Sequence, residues 1–109
     1  MKDYQFRCNT SYLVPKEVYY QCVWMVRDSE RLLWLALSDE VDDSVAAAAR
    51  RRTDAIESAL YAVPEEYRLG IMRHVKDREA FDDYAHENTW KKWQQRFIYE
   101  LAVNLMLIN

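Results

Sequence analysis

Lys91, Lys92, Gln95, Arg96 and Tyr99 are spaced so that an α-helix, advancing about 100° per residue, gathers them on one side. Lysine and arginine neutralise phosphates, and arginine and glutamine form paired hydrogen bonds with the edges of guanine and adenine. The set therefore has the chemistry of duplex DNA readout. The plain alternative is an ordinary solvated face. A second basic cluster, Arg50, Arg51 and Arg52, sweeps about 200° of helix and cannot present one surface. Arg51 is its candidate contact to a flanking phosphate backbone, while Arg50 has Asp54 one turn on as an ion-pair partner.

Other chemistries have thinner support. No glycine-rich phosphate loop, nucleophile elbow or Cys/His pair at a catalytic spacing occurs, so the expectation is a non-enzyme without cofactor. Asp82, Asp83 and His86 could in principle hold a metal, but Glu79 and Glu87 beside them read as simple surface charge. Cys8 and Cys22 lack a CxxC spacing and lie far from His74 and His86, which predicts reduced thiols rather than a zinc site.

The elements that must position these residues are helices. One glycine and two prolines among 109 residues are too few for the turns of a sheet protein. An extended arm over 1–13 is expected to lead into a first helix over 15–37, where Val18, Cys22, Met25, Val26, Leu33 and Ala36 form an apolar stripe. Tyr20, Trp24 and Trp34 widen it, either for burial on two sides or for a homodimer contact through this helix. The acidic run 38–44 reads as a loop into the next helix, whose alanines Ala46 to Ala49 have high helix propensity. Pro64 ends that helix and, as a first-turn proline followed by Glu65 and Glu66, starts a third over 64–75. A short helix over 79–85 anchored by Phe81, Tyr84 and Ala85, a turn capped by Asn88 or Thr89, and a long helix over 89–107 complete the chain. On the long helix Trp90, Trp93, Phe97, Leu101, Leu105 and Ile108 form the buried stripe, and 77–107 reads as a helix-turn-helix-like unit. The predicted fold is all-α, a single compact bundle of about five helices.

Half of the residues are apolar and 14% aromatic, enough for a packed core in one domain. No apolar run approaches the roughly 18 residues of a membrane span, and the N-terminal residues lack a signal-peptide core, which predicts a cytoplasmic protein. Net charge is −3, from 15 basic and 18 acidic residues, so any nucleic-acid surface must be local.

The segments Phe6-Arg7-Cys8-x-Thr10-Ser11-Tyr12-x-Val14-Pro15-Lys16, Val63-Pro64-Glu65-Glu66-Tyr67-Arg68 and Asn88-Thr89-Trp90-x-x-Trp93-x-Gln95-Arg96-Phe97-Ile98-Tyr99 carry a resemblance. They look like small proteins of phages and integrated elements in Clostridia-type bacteria. In layout the chain is similar to the ArpU/RinA-type phage transcriptional regulators, whose ends resemble the fourth region of sigma factors. That resemblance implies a recognition helix beginning near Thr89, with Lys91, Lys92, Gln95 and Arg96 at its exposed positions. Two functions follow as expectations. The first is a DNA-binding regulator, dimeric because one short recognition helix reads few base pairs. The second is an acidic inhibitor, anti-CRISPR-like, that occupies the cationic channel of a host nuclease or other nucleic-acid enzyme with carboxylates and exposed aromatics.

Overall fold

The computed structural model describes residues 4–109, and among these five α-helices and no strand are formed. They are α1 (Lys16–Arg27), α2 (Ser29–Leu37), α3 (Asp43–Leu60), α4 (Glu65–Asp77) and α5 (Glu87–Asn104), preceded by a 3₁₀ turn at Thr10–Tyr12. α2 and α3 pack along each other as a hairpin, α1 lies against α4 and α5, and the C-terminal half of α5 runs back over α3, where Asn104 Nδ2 donates to the Ala55 carbonyl at 3.1 Å.

The expected first helix is divided in two. Asp28, with φ −90° and ψ 5°, leaves the helical basin, and its carboxylate takes a two-pronged hydrogen bond from Arg31 at 2.8 and 2.6 Å. This break lets α1 follow α4 and α5 while α2 turns onto α3. The apolar stripe splits with it: Cys22, Val26, Leu32 and Ala36 are buried, whereas Leu33 faces solvent.

Pro15 and Pro64 each precede their helix by one residue, where their carbonyls accept the first helical bonds from Tyr19 and Tyr67, both at 2.9 Å. α4 stops at Arg78, which adopts the left-handed conformation at φ 60° and lets the Glu79 amide close back on the Arg73 carbonyl. α5 ends at Asn104, earlier than expected, through the same device at Met106, φ 58°.

The helix expected over 79–85 does not form. Phe81, Tyr84 and Ala85 do anchor this stretch, but as a loop over α5: Phe81 stacks on Trp90 (centroids 5.4 Å, planes 6° apart) and Tyr84 meets Trp90 edge-on at 5.2 Å. The Asp82 carbonyl is turned inward to accept the Trp90 indole N–H at 2.9 Å, which fastens this stretch to the ring. The nine residues 78–86 thus separate α4 from α5, and 77–107 is not two helices joined by a tight turn.

Trp90 is fully buried, and its ring lies directly on Gly70 of α4: a Cβ built there would meet the indole at 2.5 Å. The single glycine of the chain is therefore a packing residue. Alanine is better than glycine in a helix by up to about 1 kcal/mol, but overpacking a core costs about 1–3 kcal/mol. Gly70→Ala should accordingly lower the urea midpoint, and the cost should disappear in a Trp90→Leu background. Burial also pushes the Cys22 thiol up to about 12, whereas Cys8 is exposed. In native protein at neutral pH, a disulfide-exchange reagent should titrate one thiol at once and the second only on unfolding.

Candidate functional site

α5 begins where the His86 ring nitrogen accepts the Asn88 amide at 3.0 Å, so the cap is His86 rather than Asn88 or Thr89. Its inward stripe contains Trp90, Phe97, Ile98, Leu101 and Ala102, all buried, with Trp93, Leu105 and Ile108 half-buried at its margin. Gln94 and Gln95 are buried beside them.

The cationic set is not an open ridge. Gln95 is only 4% exposed, and its amide pairs with the arm: it donates to the Asn9 carbonyl at 2.8 Å and accepts the Asn9 amide at 3.0 Å. Both halves of the group that would read an adenine edge are thereby used on the chain's own backbone. Arg96 donates to Glu100 at 2.7 Å and to the Tyr12 hydroxyl at 2.9 Å, and its guanidinium lies 4.5 Å over the Tyr12 ring. Its pKa is raised first of all by the hydrogen bond to Glu100. Tyr99 packs edge-on against Tyr12 at 5.0 Å. Lys91 pairs with Glu87 at 3.1 Å and sits 5.4 Å over Phe6. Lys92 alone of the set remains fully on the surface, its ammonium 4.5 Å over Trp93.

The arm that covers this face is held along its length. Gln5 repeats the motif of Gln95, donating to the Val14 carbonyl at 2.8 Å and accepting the Val14 amide at 3.3 Å, while Tyr4 adds a hydroxyl bond to the same carbonyl. Phe6 packs near Phe81 and His74, whose Nδ1 is 2.7 Å from the Glu79 carbonyl. His74 thus serves the loop.

On α3, Arg51 is exposed and has no carboxylate at ion-pair distance among the described residues. Arg50 reaches across to the Ala36 carbonyl at 3.2 Å instead of pairing with Asp54. Asp82, Asp83 and His86 do not converge, and no group of three or more metal-ligating side chains occurs among the described residues.

Two further surfaces stand out, and the expectation of a homodimer contact already drew on Trp34 of the first. The first is the outer face of α2, where Trp34 is 56% exposed and Leu37 75%, with Leu33 beside them and Glu30 and Ser38 at the rim of a groove of about 320 Å³. It runs into Asp39, Glu40, Asp42 and Asp43, all exposed and without a cationic partner among the described residues. The signal was present in the sequence as apolar residues on too many sides of one helix, followed by four carboxylates. The second is a groove of about 660 Å³ between the arm and α5, lined by Cys8, Asn9, Tyr12, Asn88, Lys92, Trp93, Gln95 and Arg96. It brings together residues more than 70 positions apart, which no local pattern could reveal.

No protein-family model matches the chain, and neither a curated protein nor a solved structure matches it.

Removing the Gln95 amide should loosen the arm without dismantling the bundle. Gln95→Leu is expected to cost about 0.5–1.5 kcal/mol for each of the two part-buried hydrogen bonds, since the exposed Asn9 can regain water. Amide exchange should report it as lost protection at Asn9, with α3 and the centre of α5 still protected.

Proposed function

We propose that the chain is an acidic binding protein that inhibits a nucleic-acid enzyme, docking through α2 and the acidic residues that follow it. The observation that carries this reading is the juxtaposition of Leu33, Trp34 and Leu37, all exposed, with Asp39, Glu40, Asp42 and Asp43. Exposed tryptophan is among the residue types that anchor protein interfaces when a partner desolvates them, and Leu33 and Leu37 add apolar surface around it. A run of exposed carboxylates directly after α2 in the chain selects a partner whose own surface is basic, which is the surface of proteins that handle nucleic acid. Asp42 and Asp43 also favour the positive end of the α3 dipole, so part of their role is internal. Asp39 and Glu40 have no such role.

The internal use of Gln95, Arg96, Tyr99 and Lys91 weighs against reading DNA with the α5 face. A regulator remains the second reading, supported by Arg51 and Lys92, which are exposed cations without carboxylate partners among the described residues. A homodimer through α1 and α2 would use the same apolar side chains and would be seen as a concentration-dependent change in mass.

The inhibitor reading is tested with nuclease-treated host lysate and immobilised protein, followed by assay of each captured enzyme on its nucleic-acid substrate. Expected are inhibition by the native chain, loss of at least about tenfold in Trp34→Ala/Leu37→Ala and in Asp39→Asn/Glu40→Gln, and weaker capture as salt rises. Unchanged melting of these surface variants would exclude misfolding as the cause. Binding of the purified chain to duplex DNA that survives both variants and is abolished by Arg51→Glu/Lys92→Glu would overturn it in favour of the regulator.

A further inference from the structure

We propose that the groove between the arm and α5 binds a nucleoside monophosphate unit, with its phosphate at Lys92 and Arg96 and its base against Tyr12 and Trp93. This site is separate from the α2 surface and stands or falls independently of the inhibitor reading.

Four features carry the assignment. The volume, about 660 Å³, lies within the range of roughly 300–1,000 Å³ that small ligands occupy. The lining contains two cations and no carboxylate; Glu100 outside it pairs with Arg96 at 2.7 Å, so Lys92 supplies the uncompensated positive charge that favours an anion here, in a chain whose net charge is −3. Arg96 spends its Nε–H on Glu100 and one Nη1–H on Tyr12, which leaves further guanidinium donors of a rigid fork for phosphate oxygens. Lys92 is exposed and lines the same groove.

The remaining lining selects the second half of the ligand. Tyr12 and Trp93 give aromatic walls, each with a cation 4.5 Å over one face, Arg96 on Tyr12 and Lys92 on Trp93. A flat ring is therefore favoured at their remaining surfaces, and Asn88 offers a donor and an acceptor to a base edge. Inorganic phosphate would use the two cations and leave the Asn88 amide and the remaining ring surfaces without a partner. The walls are kept apart by Gln95, whose double hydrogen bond to Asn9 fixes the arm one side chain away from α5.

Amide and indole NMR titration of the full chain with adenosine monophosphate tests the proposal, with adenosine, inorganic phosphate, a short oligodeoxyadenylate and a glutamate-rich peptide as comparison probes. Expected are shifts confined to Tyr12, Asn88, Lys92, Arg96 and the Trp93 indole, with saturation in the range of about 1 mM or tighter. Adenosine and phosphate alone should each bind at least about fivefold more weakly, as should adenosine monophosphate to Lys92→Gln and to Asn88→Ala. An oligonucleotide that binds more tightly than the monomer would place the unit within single-stranded nucleic acid, and equal binding would place it in a free nucleotide. The proposal is overturned by shifts elsewhere, by no saturation below about 10 mM, by affinity for phosphate or the peptide equal to that for the nucleotide, or by indifference to Lys92→Gln.

Discussion

The contact between the Trp90 indole and Gly70 sets the spacing of α4 and α5, and much else follows from it. With a hydrogen atom in place of a Cβ, α4 approaches close enough for the ring to be covered completely. The indole N–H then needs an acceptor inside the protein, because an unsatisfied buried donor costs about 1–3 kcal/mol. The Asp82 carbonyl supplies it, and in doing so turns the 78–86 loop onto the ring, where Phe81, Tyr84 and Tyr67 complete an aromatic enclosure. A stretch whose side chains suit a helix is thereby held as a loop. The tight helix-turn-helix geometry is lost for a packing reason.

The N-terminal arm is secured by a different principle. Extended backbone laid on a helix has no ladder to join, so its polar groups must find side chains or water. Gln5 and Gln95 solve this with the same chemistry, since one amide carries both a donor and an acceptor and can satisfy an N–H and a C=O of one residue together. Arg96 and Tyr99 add their contacts to Tyr12. The side chains on α5 best suited to recognising another molecule's polar edge are thus occupied in recognising the chain's own.

What remains on the surface is divided by charge. The end of the α2–α3 hairpin is apolar and acidic, and the rim of the arm–α5 groove is aromatic and basic. Net charge describes neither, because solvent and salt screen exposed charges over about 8–10 Å and a ligand senses mainly the groups beside it. An acidic protein can therefore present a local anion site at one place and repel nucleic acid at another.

Helical class, the approximate position of every long helix and most of the α5 stripe were legible in the sequence, because 3.6-residue periodicity, proline placement and alanine propensity act over one or two turns. The excess apolar surface of the first helical stretch was legible too, though not its outcome: Trp24 and Trp34 remain more than half exposed, and Asp28 breaks the helix between them. The fate of Gln95 and Arg96 was not legible. Spacing alone puts them on the polar side of α5, and that placement is correct as far as α5 is concerned, but a helix does not know what will cover it. Residues 4–14 cover it, more than 80 positions away in the chain for the Asn9–Gln95 pair, through bonds that depend on where Pro15 and α1 deliver the arm. Local periodicity determined which side each residue would face; only long-range packing decided which of those sides would meet solvent, because burial is a property of neighbours in space.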